Sequence, residues 1–286
     1  MTDKGDWLVE QFEAHREHLR SVAYRMLGSL SDADDAVQAS WINLSRSDTD
    51  KVENIGGWMT TIVSRICLDM LRARKARPET PFAEEVSSPN AGSSYESAAD
   101  PEYETHLAES VGIALMLVLD TLAPDERLAF VLHDVFALPF DAIAPIVGRT
   151  PTTTRQLASR ARRRIRGVAA VPSDELNQQR EVVSAFLAAA RAGDFNALLN
   201  LLDPDVVLRS DTVRGAQRVA KMYTRRDGAQ WIHSALVNGQ VGLVVAPLAR
   251  LVLVIHLTFR NGKIAAIDAI SDEDHLRQTT LAVLDS

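Results

Sequence analysis

The stretch GRTPTTTRQLASRARRRIR, residues 148–166, holds seven arginines and no carboxylate. Guanidinium groups are always charged, and their planar fork matches phosphate. No acid lies between Ala142 and Ser173 to neutralise them. Arg149 and Thr150 lead into Thr152, Thr153, Thr154, Arg155 and Gln156, with Ser159, Arg160 and Arg163 further on. Thr and Gln suit base edges or phosphates, and Arg suits guanine. A helix start also presents free N–H groups and a positive dipole to an anion. The chemistry read here is polyanion binding, with no bond made or broken. A solvated surface helix is the bland alternative, but such helices usually mix signs to form i,i+4 pairs.

Three other sets of residues could do chemistry. Thr61, Ser64, Arg65 and Arg72 lie opposite an apolar stripe of Trp58, Met59, Ile62, Val63, Ile66 and Met70, and Arg74 and Lys75 extend a basic helix end. Asp32, Asp34 and Asp35 open another helix, where acids also complement the dipole. Asp211, His233, His256 and Asp268 could line a pocket in the last third and act as acid and base. No cofactor motif accompanies them, so a structural or ligand-contacting part is the commoner one. The single cysteine, Cys67, allows no internal disulfide and no cysteine zinc cluster. No metal or cofactor is expected.

Composition sets the frame for these sets. The chain has 286 residues and a formal net charge of −7, enough for two or three domains. Residues 78–111 carry eight acids and no Lys or Arg, so the acidity is almost entirely local. Repulsion from distant acids is screened beyond roughly 8–10 Å at physiological salt, which lets a local basic patch dominate. No apolar signal core or membrane-length run is present, which points to the cytoplasm and away from a membrane.

Periodicity supplies the elements. Phe12, Leu19, Val22, Ala23, Met26 and Leu27 recur at helical spacing. SLSDADDAVQASWINL starts a second helix with Ser31 as its expected cap, and SRSDTDKVENIGG reads as a loop. A third helix is expected from Trp58 to Lys75. Pro, Ser, Ala and Glu then dominate an extended or disordered linker. LAESVGIALMLVLDTL and LAPDERLAFVLHDVF are helical, the latter with Pro124 near its start. DAIAPIVG ends on Gly148, Thr150 caps, and Pro151 opens a helix to about Arg166, which makes a helix-turn-helix. Pro145 is a blemish, costing one backbone bond. After a second linker, GVAAVPSDELNQQ, come a helix through Val183, Phe186 and Leu187 and then five strands. Asn261-Gly262 turns the last hairpin, and the whole reads as an α+β domain on an antiparallel curved sheet.

Four segments in this order are similar to the extracytoplasmic-function group of the sigma-70 family of RNA polymerase sigma factors: AYRMLGSLSDADDAVQASWINL, WMTTIVSRICLDMLRARKAR, LAPDERLAFVLHDVF and FDAIAPIVGRTPTTTRQLASRARRRI. The last third resembles the SnoaL-like, NTF2-like α+β cone found at the C-terminus of one subgroup. The resemblance implies a multidomain chain: an all-α region 2 bundle at 1–77, an acidic linker at 78–110, a helix-turn-helix region 4 at 111–170 and the cone at 176–286. It implies core RNA polymerase, through its clamp and flap, and promoter DNA as partners. It makes the chain a specificity subunit that performs no catalysis itself.

Residue by residue, it places Asp32, Asp34, Asp35, Val37, Gln38 and Trp41 on the polymerase. Asn54, Trp58, Thr61, Ser64, Arg65, Arg72, Arg74 and Lys75 fall on the −10 element. Arg149, Thr150, Thr152, Thr153, Thr154, Arg155, Gln156, Ser159, Arg160 and Arg163 fall on the −35 element. The cone would modulate activity in cis, with a small-molecule ligand as one means. RPETPFAEE stands where such relatives carry Trp-Leu-Pro-Glu-Pro, and DTVRGAQRVAK and SDEDHLRQ replace their DGGGK and NPDKL segments. A ligand-responsive repressor using the same helix-turn-helix, or an enzyme fused to it, are the competing readings. The repressor leaves DADDAVQ and SRICLDMLRARKAR without a purpose.

Overall fold

The computed structural model describes residues 2–47, 52, 54–76, 112–167, 173–210, 212–224, 231–247 and 250–284. The acidic linker and Asp211 lie outside these residues. The chain divides into two compact units, the first holding Met1–Ser87 and Leu119–Arg163, the second holding Val111–Val118 and Arg164–Ser286.

In the first unit, α1 (Thr2–Leu27), α2 (Leu30–Ser45) and α3 (Ile55–Ala76) form a bundle. Leu19, Val22, Met26, Leu30, Val37, Leu44, Met59, Val63 and Leu68 are all nearly inaccessible and make its core. Ser29, not Ser31, caps α2 by accepting from the Asp32 N–H. The reason is burial: Leu30 must already turn into the core, so the last extended residue is the one before it. α3 likewise starts earlier than its apolar stripe suggests. Asn54 Oδ1 accepts from Gly57 N–H at 2.9 Å, and the IGG of the expected loop is helical.

Helix α4 (Ile113–Asp120) precedes α5 (Pro124–Phe130), which has Pro124 in its first turn. The next five residues, Val131–Val135, form a π-helical turn that periodicity does not anticipate. It closes through Phe136 N–H to Val131 O, and Ala137 then adopts a left-handed conformation at φ 56°. Helix α6 (Phe140–Val147) contains Pro145 and ends on Gly148 at φ 73°, a conformation that favours glycine. Helix α7 (Pro151–Arg166) follows after the three residues Gly148, Arg149 and Thr150.

The second unit opens with α8 (Ser173–Ala192), so SDELNQQ is helical where a linker was expected. Asp174 and Glu175 complement the dipole of its first turn. After α9 (Phe195–Leu201) come β1 (Leu202–Leu208), β2 (Val213–Arg214) and α10 (Ala216–Tyr223). Strands β3 (Ile232–Val237), β4 (Gln240–Val245), β5 (Leu253–Arg260) and β6 (Lys263–Ile270) follow, then α11 (Glu273–Gln278) and β7 (Leu281–Ala282). The sheet order is β2-β1-β6-β5-β4-β3-β7. Its pairs are antiparallel except β1 with β6, which is parallel and corrects the all-antiparallel expectation. Asn261 and Gly262 both have positive φ in the β5–β6 turn, and Asn238 and Gly239 repeat the device between β3 and β4. Phe186, Leu198, Tyr223, Leu236, Leu243, Ile255 and Ile267 form the core between helices and sheet. Val244 and Val254 on the other face are also inaccessible, as a strand apolar on both sides requires.

Candidate nucleic-acid interface

Helix α7 is anchored on one side and displayed on the other. Thr150 Oγ1 accepts from Thr153 N–H at 3.2 Å, the cap expected from the sequence. Thr154 donates its hydroxyl to Thr150 O at 3.0 Å and is fully buried, with Ala158, Ala161 and Ile165 continuing that face. Thr154 therefore belongs to the supporting side, which corrects its expected place among the groove-facing residues. Thr152, Arg155, Gln156, Ser159, Arg160 and Arg163 remain exposed, as do Arg149 and Thr150, while Thr153 is half-buried. The Arg155 guanidinium lies over the Phe140 ring, 5.3 Å from its centroid, which restrains its stem and leaves it at the surface. Arg162 pairs with Asp134 at 2.6 Å. Arg160 and Arg163 have no ion-pair partner among the described residues.

The end of α3 carries the same chemistry in a different state. Arg72 donates to Asp125 at 2.8 Å and to Val147 O at 3.4 Å. Arg74 is ion-paired with Asp32 and also reaches Leu27 O. Asp125 lies in the first turn of α5 and takes Arg149 as a second, looser partner at 3.8 Å. Arg65 and Lys75 are exposed. Ser64 is fully buried and its hydroxyl has no partner, so it faces the bundle and not solvent. The buried face of α3 runs through Met59, Thr60, Val63, Ser64, Cys67 and Leu68, about one residue round from the apolar stripe. Asn54 is exposed but committed to its cap, Thr61 donates to Gly57 O at 3.0 Å, and Trp58 is half-buried. Burial pushes the Cys67 thiol up to about 12.

A residue that motifs do not single out joins these elements. Arg127 of α5 is 2% exposed. Its Nε donates to Arg25 O at 3.2 Å, in the last turn of α1, and its Nη1 to Asp120 at 3.1 Å. Nη2 is buried without a partner. Burial lowers the Arg127 pKa against the raising effect of Asp120. A cation at a helix C-terminus complements the dipole, which offsets part of the desolvation. Phe136, after the π turn, takes His18 edge-on at 5.2 Å and the Arg25 guanidinium at 5.3 Å. The lone cation inside the apolar run RLAFVL is the signal for Arg127 that the sequence offers.

On α2, Asp35 and Gln38 are exposed, Asp34 pairs with Arg20 at 2.7 Å, and Asp32 is held by Arg74. Val37 is buried, and Trp41 is half-buried against Phe12, their rings 5.0 Å apart.

In the second unit, strand register puts His233, His256 and Asp268 on the sheet face opposite the core that packs against α8, α9 and α10. His256 and Asp268 are direct cross-strand neighbours, and Arg209 approaches Asp268 at 3.5 Å. Burial, and then Arg191, lower the His233 pKa to about 4. The helix-facing side carries the apolar core. A small cleft of about 290 Å³ remains at its hairpin end beside Gln178, Val182 and Phe259. Among the described residues, no three His, Cys, Asp or Glu side chains are grouped to hold a metal, and no helix is long and apolar enough to cross a membrane.

Comparison with known proteins bears on these surfaces. Residues 11–77 match the family model described as Sigma-70 region 2, and residues 113–165 match Sigma-70, region 4. The chain is 37% identical over 290 residues to the ECF RNA polymerase sigma factor SigJ of Mycobacterium tuberculosis, covering 93% of this chain and 92% of that protein. It is 36% identical over 267 residues to the probable ECF RNA polymerase sigma factor SigI of the same species, covering 92% and 88%. A crystal structure of M. tuberculosis SigJ aligns with a TM-score of 0.46 at 34% identity, covering 93% of this chain and 97% of that one.

Proposed function

The chain belongs to the extracytoplasmic-function sigma factors of RNA polymerase, and from that membership we propose how its parts divide the work of starting transcription. A sigma factor directs core polymerase to promoters, so core polymerase and promoter DNA are its partners. The exposed row of α7 (Thr152, Arg155, Gln156, Ser159, Arg160 and Arg163) enters the major groove of the −35 element. Arg65, Arg72, Arg74 and Lys75 form a cationic track for the melted −10 strand. Asp35 and Gln38 are the α2 groups best placed to meet the polymerase, since both are exposed and have no ion-pair partner among the described residues. Polymerase performs the chemistry.

The single observation that carries this reading is α7 itself. Its apolar side is seated, and its opposite side presents arginines and hydrogen-bonding groups with almost no carboxylate nearby. In the arrangement of this unit, Arg72 and Arg74 are engaged by Asp125 and Asp32. Full use of the −10 track therefore has α3 part from α5 to free Arg72, and the Arg74 pair with Asp32 of α2 open separately. The C-terminal unit acts in cis on promoter use, a reading supported by a folded extra unit joined within the same chain.

Reconstitution with core RNA polymerase on a promoter library tests the proposal. RNA should start at defined sites only when the chain is present, and a chain that leaves core polymerase unable to initiate anywhere would refute it. A version ending near residue 170 should differ from the full chain in promoter output. Identical output would remove the regulatory part alone.

A further inference from the structure

Within the first unit a cleft of about 470 Å³ opens between α3, α5 and α7. Arg72, Lys75, Pro124, Asp125, Leu157 and Arg160 line it, together with Glu126, a second carboxylate whose side chain is buried. Its charges are unequally spent. Asp125 is already shared by Arg72 and Arg149. Lys75 and Arg160 are exposed, stand on different helices, and have no ion-pair partner among the described residues. Pro124 and Leu157 add half-buried apolar surface. The volume falls within the roughly 300–1,000 Å³ of small-molecule and cofactor sites.

We propose that this cleft binds a phosphorylated small molecule of nucleotide size. Its phosphates would bridge Lys75 and Arg160, and its ring would rest on Leu157 and Pro124. Two cations from separate helices suit an extended polyanion better than a single carboxylate, which one of them would satisfy. The apolar wall favours a ligand with a ring over bare phosphate.

The consequence is regulatory and rests on the sigma-factor reading above. Lys75 belongs to the −10 track and Arg160 to the −35 row, so the ligand competes with promoter phosphates for both. A ligand that ties α3 to α7 also holds the two DNA-facing modules together.

Binding itself needs neither polymerase nor DNA, so its test is independent of the transcription assay. The full chain is titrated calorimetrically with ATP, GTP and inorganic pyrophosphate. At least one nucleotide should fill a single site with a Kd below roughly 1 mM, and pyrophosphate should bind more weakly. The double substitution Lys75→Ala/Arg160→Ala removes two charge-assisted contacts and should weaken nucleotide binding at least tenfold, a lower bound of about one such contact. Arg218→Ala, an exposed cation on α10, should leave it unchanged. No saturable binding, binding that survives the double substitution, or pyrophosphate binding as tightly as either nucleotide would each overturn the proposal.

Discussion

Two helices carry the positive charge that matters, and they hold it differently. On α7 the arginines stand out from a side seated by Thr154, Ala158, Ala161 and Ile165, and Arg160 and Arg163 have no ion-pair partner among the described residues. On α3 two of the four cations are spent, Arg72 on Asp125 and Arg74 on Asp32, while Arg65 and Lys75 are exposed. Charge counted along the sequence is the same kind of quantity in both helices. Charge available to DNA is not, because a carboxylate from another element can neutralise an arginine as well as a phosphate can. Neither an acid-free stretch nor a basic run fixes free charge by itself: Arg149 and Arg162 still reach Asp125 and Asp134 from other elements, and the fold decides which arginines stay open.

The contrast can be broken or sharpened by substitution, starting with its largest expected effect. Arg127 is the buried cation joining α5 to the end of α1. Replacing a whole buried ion pair with apolar side chains of similar volume is often neutral or stabilising by roughly 1–4 kcal/mol. Removing one partner is costly when the other charge stays buried, but here the partner left behind, Asp120, is largely exposed to solvent. Arg127→Met should therefore keep or raise the Tm of the helical unit. A clear fall in Tm would show that the bonds to Arg25 O and Asp120 outweigh the desolvation.

Next comes Arg155→Ala. Loss of a bidentate base contact is worth roughly 1–3 kcal/mol, so promoter-specific initiation should drop about 5- to 150-fold and discrimination at one −35 position should relax. Equal loss on all promoters would demote Arg155 to a phosphate contact.

Asp125→Ala releases Arg72 and Arg149. Partly exposed pairs contribute roughly 0.2–1 kcal/mol, so binding to a −10 single strand should improve by no more than about fivefold. Unchanged or weaker binding would contradict the claim that α3 is masked.

His18 adds a pH test of a second contact in the same unit, that of α1 with Phe136. The residue is exposed overall, but partial desolvation of its ring beside Phe136, then His15 and Arg25, lower its pKa below 6.5. The packed arrangement thus favours neutral imidazole. Its stability is fully present above pH 6.5 and declines as the pH falls below that, where the parted state takes up the proton first. The Tm of the helical unit should fall on mild acidification, and less so in His18→Gln. The smallest effect is expected of Arg163→Ala, which should weaken binding uniformly and lower the salt slope by about one.

Much of the fold and of the α7 surface is legible in the order of residues alone. The α7 cap, the seat of Pro124, the Gly148 stop and the Asn261-Gly262 turn are local devices, fixed by residues within a few positions of each other. What escapes such reading is set by distant partners. Ser64 looks polar and surface-bound until α3 is packed, when it turns into the bundle. Thr154 sits in an exposed-looking polar run, yet the helix needs a small side chain against its neighbours there. The cap of α2 moves to Ser29 because Leu30 has to be buried. The parallel β1–β6 pair and the orientation of His233, His256 and Asp268 depend on sheet register, which alternation alone does not assign. The masking of Arg72 and Arg74 needs Asp125 and Asp32 brought close, and no spacing rule connects them.

The central claim is that α3 is held in the free chain against the helical module of α5 to α7, through Arg72 to Asp125 and Val147 O, and parts from that module when polymerase is engaged. The direct measurement is the distance between spin labels at Arg65 on α3 and Ser159 on α7, both exposed, with the buried Cys67 replaced by Ala so that labelling is specific. The account predicts a short, narrow distribution for the chain alone and a longer one with core RNA polymerase. The same distribution in both states would contradict it.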